Sequence, residues 1–173
     1  MVTVARLDPA AARTLLSELA SILVDCVEGG ASVSFMWPFT QRDAEAFFSK
    51  VIDGIETGDR ILLAAFDNNR LVGTVQIITA VPPNQPHRAD VAKLLVHSAA
   101  RGSGAGRLLM EEVDRQALAA GKTLLVLDTV TGSVAERLYS RIGWTRVGVI
   151  PNYALFPDGT PCSTTVFYRE LQA

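Results

Sequence analysis

The stretch KLLVHSAARGSGAGRLLMEEVD, which runs from Lys93 to Asp114, limits the possible folds of this chain more than any other. An apolar run typical of a buried strand leads into a loop with glycine at positions 102, 104 and 106, and an amphipathic helical pattern follows. The backbone amides at the start of such a helix have no helical acceptors and point to one spot. The sequence therefore predicts a strand, a loop and a helix arranged around an anion site.

The expected anion is a phosphate or pyrophosphate. The helix dipole is positive at this point, glycines let a ligand approach the backbone, and Arg101 and Arg107 add charge. A Walker loop is excluded because no lysine followed by Ser or Thr closes the glycines, and a dinucleotide fingerprint fails because Arg107 or Leu109 stands at its third glycine position. A tight turn without a ligand is the competing interpretation, and the flanking arginines count against it.

Length, composition and charge predict a single-domain protein without a nucleic-acid, metal or membrane partner. The chain has 173 residues, of which 49% are hydrophobic. Residues 1–173 are therefore expected to form a single domain. The formal net charge of −2 and the scattered basic residues do not favour a nucleic-acid partner. No cluster of His, Cys and acidic residues indicates a metal, and Cys26 and Cys162 do not suggest a disulfide. The absence of a signal-peptide pattern and of a long apolar run predicts a cytoplasmic protein that needs no membrane.

The periodicity predicts the element order β-α-α-β-β-β-α-β-α-β-β. A first helix should begin after Asp8 and run to Gly29-Gly30, and a last helix should begin after Ser133. Asn68 and Asn69 indicate the turn of a hairpin, and the segment 156–159 indicates the turn of a closing hairpin. The pattern predicts an α/β (α+β) protein with a mixed sheet, which is parallel where a crossover helix forces it.

Two motifs carry a family resemblance. Arg101-x-x-Gly104-x-Gly106 after an apolar strand resembles the acyl-CoA signature of the GNAT superfamily of N-acetyltransferases, and AERLYSRIGW resembles the second motif of that family. The element order is similar as well, so the resemblance covers nearly the whole chain. One departure is Gly132, because many relatives have asparagine at this place. The resemblance implies a GNAT-like acyl-CoA N-acyltransferase fold, with helices on both faces of a mostly antiparallel central sheet.

The resemblance also implies acetyl-CoA as the cofactor. Backbone groups of Leu94 and Val96 would pair with the pantetheine arm as with an added strand. An N–H group of Val96 or Leu95 would donate to the acetyl oxygen as negative charge develops there. Ala135 would contact the cofactor from the second motif. The pyrophosphate would be held by the residues from Arg101 to Arg107, which are Arg101, Gly102, Ser103, Gly104, Ala105, Gly106 and Arg107.

The implied reaction is direct attack of an amine on a thioester, without an acyl-enzyme. An alkylamine with a pKa near ~10.4 is mostly protonated at pH 7, so a base or an amine-binding group is needed. Asp128 ends a buried strand next to the motif strand and is the first candidate, although it could instead cap the next helix or form a structural salt bridge. Asp90 and His87 are alternatives, and His97 is interpreted as a loop residue.

By the same resemblance, Tyr139 would protonate the leaving CoA thiolate. Its helical spacing with Ala135 places both residues on the face turned toward the sheet. A phenol with a pKa near ~10 can supply a proton to a thiolate. An ordinary core tyrosine is the competing interpretation.

The sequence gives the least information about the amine that accepts the acetyl group. The aromatic loop, defined as residues 31–40, contains Phe35, Met36, Trp37 and Phe39, and Phe35 with Asp128 could contact the substrate. A loop anchored in the core by its aromatics is the competing interpretation. The resemblance suggests a small amino-acid-like or toxin-like amine as partner. A protein or peptide N-acetyltransferase, a non-catalytic CoA-binding module and, more remotely, a nicotinamide oxidoreductase are alternatives, and a homodimer through the closing strands is compatible with each.

Overall fold

A computed structural model describes residues 1–172 of the chain. The chain forms a seven-stranded sheet from β1 (Val2–Leu7), β2 (Arg60–Asp67), β3 (Arg70–Ile78), β4 (Arg88–Val96), β5 (Leu124–Val130), β6 (Thr145–Leu155) and β7 (Pro161–Glu170). The strand order across the sheet is β1-β2-β3-β4-β5-β7-β6. β7 therefore lies between β5 and β6, and β6 forms one edge.

Only one pair of neighbouring strands within residues 1–172 is parallel. β4 pairs with β5 in parallel from Arg88 and Leu124 to Asp90 and Val126, and the other five pairings are antiparallel. A parallel pair needs a long crossover, and the helix after the glycines supplies it. The predicted mixed, mostly antiparallel sheet is confirmed.

Five α-helices connect the strands within the described residues: α1 (Pro9–Thr14), α2 (Leu16–Glu28), α3 (Gln41–Glu56), α4 (Ala105–Ala119) and α5 (Val134–Arg141), with a short 3-10 helix at Ser98–Ala100. α1 begins where Asp8 Oδ1 accepts the amide of Ala11 at 2.8 Å. α5 begins where Ser133 Oγ accepts the amide of Glu136 at 3.1 Å. Both predicted helix starts are confirmed, because each side chain satisfies an amide that the helix leaves free.

The first helix differs from the prediction. One continuous helix was expected between Asp8 and Gly29, whereas the structure divides it into α1 and α2 at Leu15. Helical hydrogen bonding continues across the division, from Leu15 N to Ala11 O at 3.1 Å and from Leu19 N to Leu15 O at 2.9 Å. Leu15 and Leu16 both pack against the core. The division is therefore a one-residue interruption at Leu15, across which the chain stays helically bonded and packed on the core.

The two predicted hairpin turns are present. Asn68 and Asn69 connect β2 to β3 with positive φ values of 48° and 64°, the backbone that a two-residue turn between twisted antiparallel strands requires. Between β6 and β7, the amide of Gly159 donates to the Phe156 carbonyl at 2.9 Å. In both hairpins the turn residues supply left-handed backbone that most side chains disfavour.

The sheet has a hydrophobic core on each face. α1, α2 and α3 cover one face, where Leu23 and Phe48 pack against Leu62 of β2. α4 and α5 cover the other face, where Leu109 and Tyr139 belong to the same core as Phe167 of β7. The predicted helices on both faces are confirmed. Because the core under α1 to α3 contains no residue of β5, β6 or β7, these helices leave that half of their face open.

Candidate active site

β4 and β5 separate in the middle of the sheet. Their pairing ends at Asp90 and Val126, whereas β4 continues to Val96 and β5 continues to Val130. β5 stays paired with β7 over its whole length, so β4 loses its neighbour on one side. The resulting gap, which we call the cleft, opens at the carboxyl ends of the two strands. An open strand edge with unpaired backbone groups can accept an extended ligand.

Alternation along β4 decides which backbone groups face the cleft. The amide of His97 donates to Val72 O on the β3 side at 2.9 Å. Backbone groups of a strand point alternately to its two edges, so those of Leu94 and Val96 point toward the cleft, and those of Leu95 point toward β3. The Val96 carbonyl also receives a long contact from Cys26 Sγ at 3.7 Å. Leu94 and Val96 thus have the position that pairing with an extended ligand requires.

The glycine loop, residues 101–106, forms an open cradle at the start of α4. Gly102 and Gly104 have φ values of 82° and 89°, and a Cβ atom at either would meet nothing within 4 Å. The amides of Gly102, Gly104, Gly106 and Arg107 have no acceptor within the described chain. Unpaired amides at a helix start bind phosphate. The loop geometry therefore fits the pyrophosphate of a CoA-type cofactor.

Ser103 and Ala105 of the glycine loop make contacts within the protein. The amide of Ala105 donates weakly to Ser103 Oγ at 3.4 Å, and the side chain of Ala105 is buried under the loop. A Cβ atom on Gly106 would lie 3.5 Å from Leu138 Cδ2, so α4 and α5 approach each other closely here. These contacts hold the cradle against the second motif.

The two flanking arginines lie in different places. Arg107 is exposed and pairs with Glu111 one helical turn later, with 2.7 Å from Nε to Oε1. The guanidinium of Arg101 lies beside the carboxyl end of α2, 3.7 Å from the position that a Cβ on Gly29 would occupy. A cation is stabilised at that end of a helix. The side chain of Arg101 therefore reaches from the glycine loop to the end of α2.

Asp25 of α2 anchors the segment before the glycine loop. Its two carboxylate oxygens accept the amide of Ser98 at 2.7 Å and the hydroxyl of Ser98 at 2.6 Å. Burial acts to raise the pKa of Asp25, but the hydrogen bonds from Ser98 and the charges of His97 and Arg101 lower the pKa overall. The ionised form is thereby favoured, and α2 holds the loop through one carboxylate.

Replacing Gly104 by Val should weaken acetyl-CoA binding roughly ten- to hundredfold, since a side chain at this position projects into the space where the amides meet phosphate, and each lost charge-assisted hydrogen bond costs about 1.5–3 kcal/mol. Gly121→Val is the matched control, because Gly121 follows the other end of α4 with a φ of 73° and equally open surroundings. Both variants carry a similar backbone strain. Isothermal titration with acetyl-CoA separates them, and equal affinities would contradict the cradle.

Tyr139 lies on the inner face of α5, together with the partly buried Ala135. Its side chain is 5% exposed and packs between Trp144 and Phe167, with ring centroids 6.0 and 5.9 Å away. The hydroxyl group makes no hydrogen bond within residues 1–172. Burial raises the pKa of the phenol, and the negative charge of Asp128 raises it further. The ring is thus part of the core, while the hydroxyl remains protonated and unpaired.

Asp128 lies on the part of β5 that borders the cleft, and its side chain is exposed. Oδ2 accepts the Thr164 hydroxyl at 2.7 Å. The carboxylate caps no helix, because Ser133 caps α5, and no Lys, Arg or His of the described chain lies within salt-bridge distance of it. Asp128 therefore neither caps a helix nor forms a salt bridge in the described chain.

Among the alternative acids and bases, Asp90 and His97 have local partners, and His87 lies away from the cleft. Asp90 forms an ion pair with Arg88 on the same strand. His87 is exposed at the opposite end of β4, and its carbonyl accepts the amides of Thr123 and Leu124. His97 Nδ1 accepts the amide of Ala99 at 3.2 Å, so this ring caps the 3-10 helix. Asp90 and His97 are therefore less free than Asp128 to approach a substrate, and His87 lies before the start of β4, at the end away from the cleft.

The aromatic loop is divided between core and surface. Phe35 is half-buried and stacks on Phe39 and Phe47, with centroid distances of 4.6 and 5.3 Å. Met36 and Trp37 are 44% and 49% exposed. The anchoring interpretation therefore holds for the ring of Phe35, and the exposed part of the loop lies at Met36 and Trp37.

The aromatic loop is also bound to the closing hairpin. Ser32 Oγ donates to the Leu155 carbonyl at 2.6 Å, and the amide of Trp37 donates to the Pro157 carbonyl at 3.0 Å. On the helical side, Trp37 Nε1 donates to Val27 O at 3.0 Å. The loop thus bridges α2 and the β6–β7 hairpin.

Sequence reasoning missed Thr164, which donates to Asp128, and three further polar residues: Lys93, its hydrogen-bond acceptor Ser34, and Arg60, whose charge lowers the pKa of Lys93. Lys93 could have been noticed, because it is the one charged residue within the apolar part of its strand. The others come from distant segments that only the sheet order brings together.

Two further observations concern residues 1–172. No group of three or more His, Cys, Asp or Glu side chains is arranged to hold a metal ion. Within the same range, none of the helices has both the length and the apolar character needed to cross a bilayer.

Comparison with known proteins identifies a family model and several solved structures. The acetyltransferase (GNAT) family model matches residues 17–144. A candidate phosphinothricin N-acetyltransferase has a TM-score of 0.81 and 22% identity, with full coverage of both chains. The protein yncA from Salmonella typhimurium, solved with acetyl-CoA, has a TM-score of 0.80 and 18% identity and covers 100% of this chain and 95% of its own. A ribosomal-protein-alanine N-acetyltransferase from Brucella melitensis has a TM-score of 0.79 and 22% identity, with 98% and 99% coverage.

Proposed function

Because the chain belongs to the acetyltransferase (GNAT) family and is therefore an acetyl-CoA-dependent transferase, we propose that it moves the acetyl group directly to the amine of a small molecule of amino-acid-like or toxin-like chemistry. The contacts of the aromatic loop with the closing hairpin are the observation that carries this choice of acceptor. They join the aromatic loop to the β6–β7 hairpin, and in this proposal the joined segments form the wall of a pocket of small-molecule size. A peptide acceptor would need an open groove there, whereas a small molecule would not.

The residues that would hold acetyl-CoA fit the group. Leu94 and Val96 offer backbone groups on the open edge of β4, and the amides from Gly102 to Arg107 offer a phosphate cradle. Leu95 supports this edge from the β3 side, and Ala135 lines the inner face of α5. When bound, acetyl-CoA supplies an acetyl group activated as a thioester. The amide of Val96 is the donor that would stabilise negative charge on the acetyl oxygen.

Asp128 would take the proton of the incoming amine, and Tyr139 would supply a proton to the leaving thiolate. Asp128 would bind the ammonium of the acceptor and take its proton, because the carboxylate is exposed and lacks a cationic partner within 4.0 Å in the described chain. Tyr139 Oη would hold its proton until sulfur departs and then donate it. A chain with both groups in place needs no covalent acyl-enzyme.

The comparisons support a small acceptor only in part. The segments GGASVSFM, LDTVTGSVAERLY and TRVGVIPNYALFPDGT look like the tabtoxin resistance protein of this superfamily, and the candidate phosphinothricin N-acetyltransferase also takes its name from a small amino-acid-like molecule. The Brucella relative is named for a protein acceptor at the same 22% identity. In this proposal the bridge between the aromatic loop and the β6–β7 hairpin favours the small molecule.

Release of CoA thiol from acetyl-CoA against a panel of amines tests the proposal. The panel contains amino acids, dipeptides, aminoglycosides, polyamines, β-lactam amino acids and short peptides. We expect turnover with one class of small amine and at least tenfold lower kcat/KM with peptides, because the bridge from the aromatic loop to the β6–β7 hairpin would interrupt a peptide-binding groove. Preferred turnover of peptides would overturn the choice of acceptor.

A further inference from the structure

Lys93 occupies an unusual position on β4. Thr74 pairs with Leu95 and Gln76 pairs with Ala92, so Lys93 and Leu94 together oppose Val75 in a β-bulge. Lys93 has a φ of 56°, in the left-handed region that costs a residue with a side chain about 1–2 kcal/mol. Glycine or asparagine would relieve that cost. A long cationic side chain at a strained position points to a task for the side chain itself.

The ammonium of Lys93 faces the acceptor side of the cleft. Its Nζ donates to Ser34 Oγ of the aromatic loop at 3.0 Å, and no carboxylate of the described chain lies within 4.0 Å of it. Burial lowers the pKa of Lys93, the charge of Asp128 acts in the opposite direction, and the charge of Arg60 lowers the pKa further. Asp128 and Arg60 are therefore both near enough to influence the ammonium electrostatically.

Arg60 is a second cation without an acidic partner in residues 1–172. Its Nη1 donates to Gln76 Oε1 at 2.8 Å, and its aliphatic stem passes Gly54 of α3, where a Cβ would lie 2.9 Å from Arg60 Cδ. Gln76 is 0% exposed, and its Nε2 has no hydrogen-bond partner. The guanidinium is thus held in place by the amide and by the gap that glycine leaves in the helix.

Lys93 therefore places on the acceptor side of the cleft an ammonium with no acidic partner within 4.0 Å in the described chain, and the charge of Arg60 adds to the positive potential there. Asp128 can bind an ammonium, but Lys93 and Arg60 would repel an acceptor whose only charge is positive. Half-buried cations without acidic partners are stabilised by an anionic ligand, and a carboxylate or phosphinate can accept hydrogen bonds from Lys93 and Ser34 together.

We propose that Lys93, supported by the charge of Arg60, forms an oxyanion subsite beside Asp128, so that the acceptor is zwitterionic, with its amine at Asp128 and its carboxylate or equivalent oxyanion at Lys93. This inference rests on the proposed small-molecule acetyl transfer and specifies its substrate class. Simple polyamines and aminoglycosides, which have no oxyanion, fall outside that class.

The first test compares paired acceptors: each amino acid of the panel, its carboxamide, and its aminophosphonate where available. For the wild-type protein we expect kcat/KM to fall roughly ten- to hundredfold from acid to carboxamide, because a charge-assisted contact is lost. Lys93→Met should abolish that preference without changing the KM for acetyl-CoA, and Lys93→Arg should retain part of it. Lys50→Met, on the exposed side of α3, is the matched control. Equal rates for acids and carboxamides would overturn the subsite.

The second test works even if no amine is acetylated. The chain has three lysines, Lys50, Lys93 and Lys122, so reductive ¹³C-methylation gives few NMR signals, and Lys93→Arg identifies that of Lys93. With CoA present, amino acids or aminophosphonates should shift this signal and carboxamides should not. Failure of every oxyanion to shift it would refute the subsite. A shift without turnover would support the subsite while refuting the proposed acetyl transfer.

Discussion

Tyr139→Phe should lower kcat by about 10²- to 10³-fold and leave the affinity for acetyl-CoA nearly unchanged, because a positioned general acid contributes roughly 10²–10⁴ to a rate and acts only as the thiolate leaves. The substitution removes a hydroxyl that has no partner in the described chain and retains the ring between Trp144 and Phe167. The fold should therefore tolerate it. Steady-state CoA release and titration with acetyl-CoA measure the two quantities.

The pH dependence of this step follows from the direction of the pKa shift. Burial, with the charge of Asp128, raises the pKa of Tyr139, so the phenol holds its proton to higher pH than a free tyrosine and is available throughout the assay range. Tyr168→Phe on β7 is the control, and we expect it to keep the wild-type rate. Unchanged turnover in Tyr139→Phe would reduce this residue to a core aromatic.

Asp128→Asn should lower kcat/KM by about 10²-fold at neutral pH, and raising the pH should restore part of the loss. The reason lies in the acceptor: an alkylamine with a pKa near ~10.4 becomes tenfold more abundant in its neutral form with each added pH unit, so the need for a base falls. Asparagine is nearly the same size and can still accept the hydrogen bond from Thr164. Rate profiles from pH 6 to pH 10, as far as the fold is stable, measure the effect.

Two further variants make the Asp128 result specific. Asp53→Asn, on the exposed side of α3, should behave as wild type. Asp90→Asn tests the alternative base, and we expect a modest effect because its carboxylate is paired with Arg88. If the loss in Asp128→Asn is the same at every pH, the carboxylate binds the amine or supports the strand and does not accept its proton. A pH-restored loss in Asp90→Asn would transfer the role of base to Asp90.

Local chemistry made most of the fold predictable. Asp8 and Ser133 each place an oxygen where a helix leaves amides free, and Asn68 and Asn69 tolerate the left-handed backbone of a hairpin turn. These signals act over a few residues, so they can be read directly along the chain. The division at Leu15 could not be predicted in this way, because helical hydrogen bonds continue across it and no turn residue marks it in the sequence.

The candidate site likewise contains residues that could be predicted from the sequence and residues that could not. The glycine loop and the tyrosine of α5 are local motifs, and their positions could be predicted from spacing. The side chain of Arg101 could not, because its place beside α2 depends on a segment more than seventy residues earlier. Phe35 could not be assigned either, since only the arrangement of α3 shows that its ring stacks on Phe39 and Phe47.

The sequence alone was enough to predict most of the elements, the glycine loop before α4 and the family, because each depends on residues that are close together in the chain. The tertiary structure alone decided where β4 leaves β5, and that Asp128 and Arg60 both act electrostatically on Lys93. The physical reason is that pairing across a sheet joins residues far apart in sequence, and the charge around a site depends on that pairing. The identity of the cofactor is thus encoded locally, whereas recognition of the acceptor depends on the assembled fold.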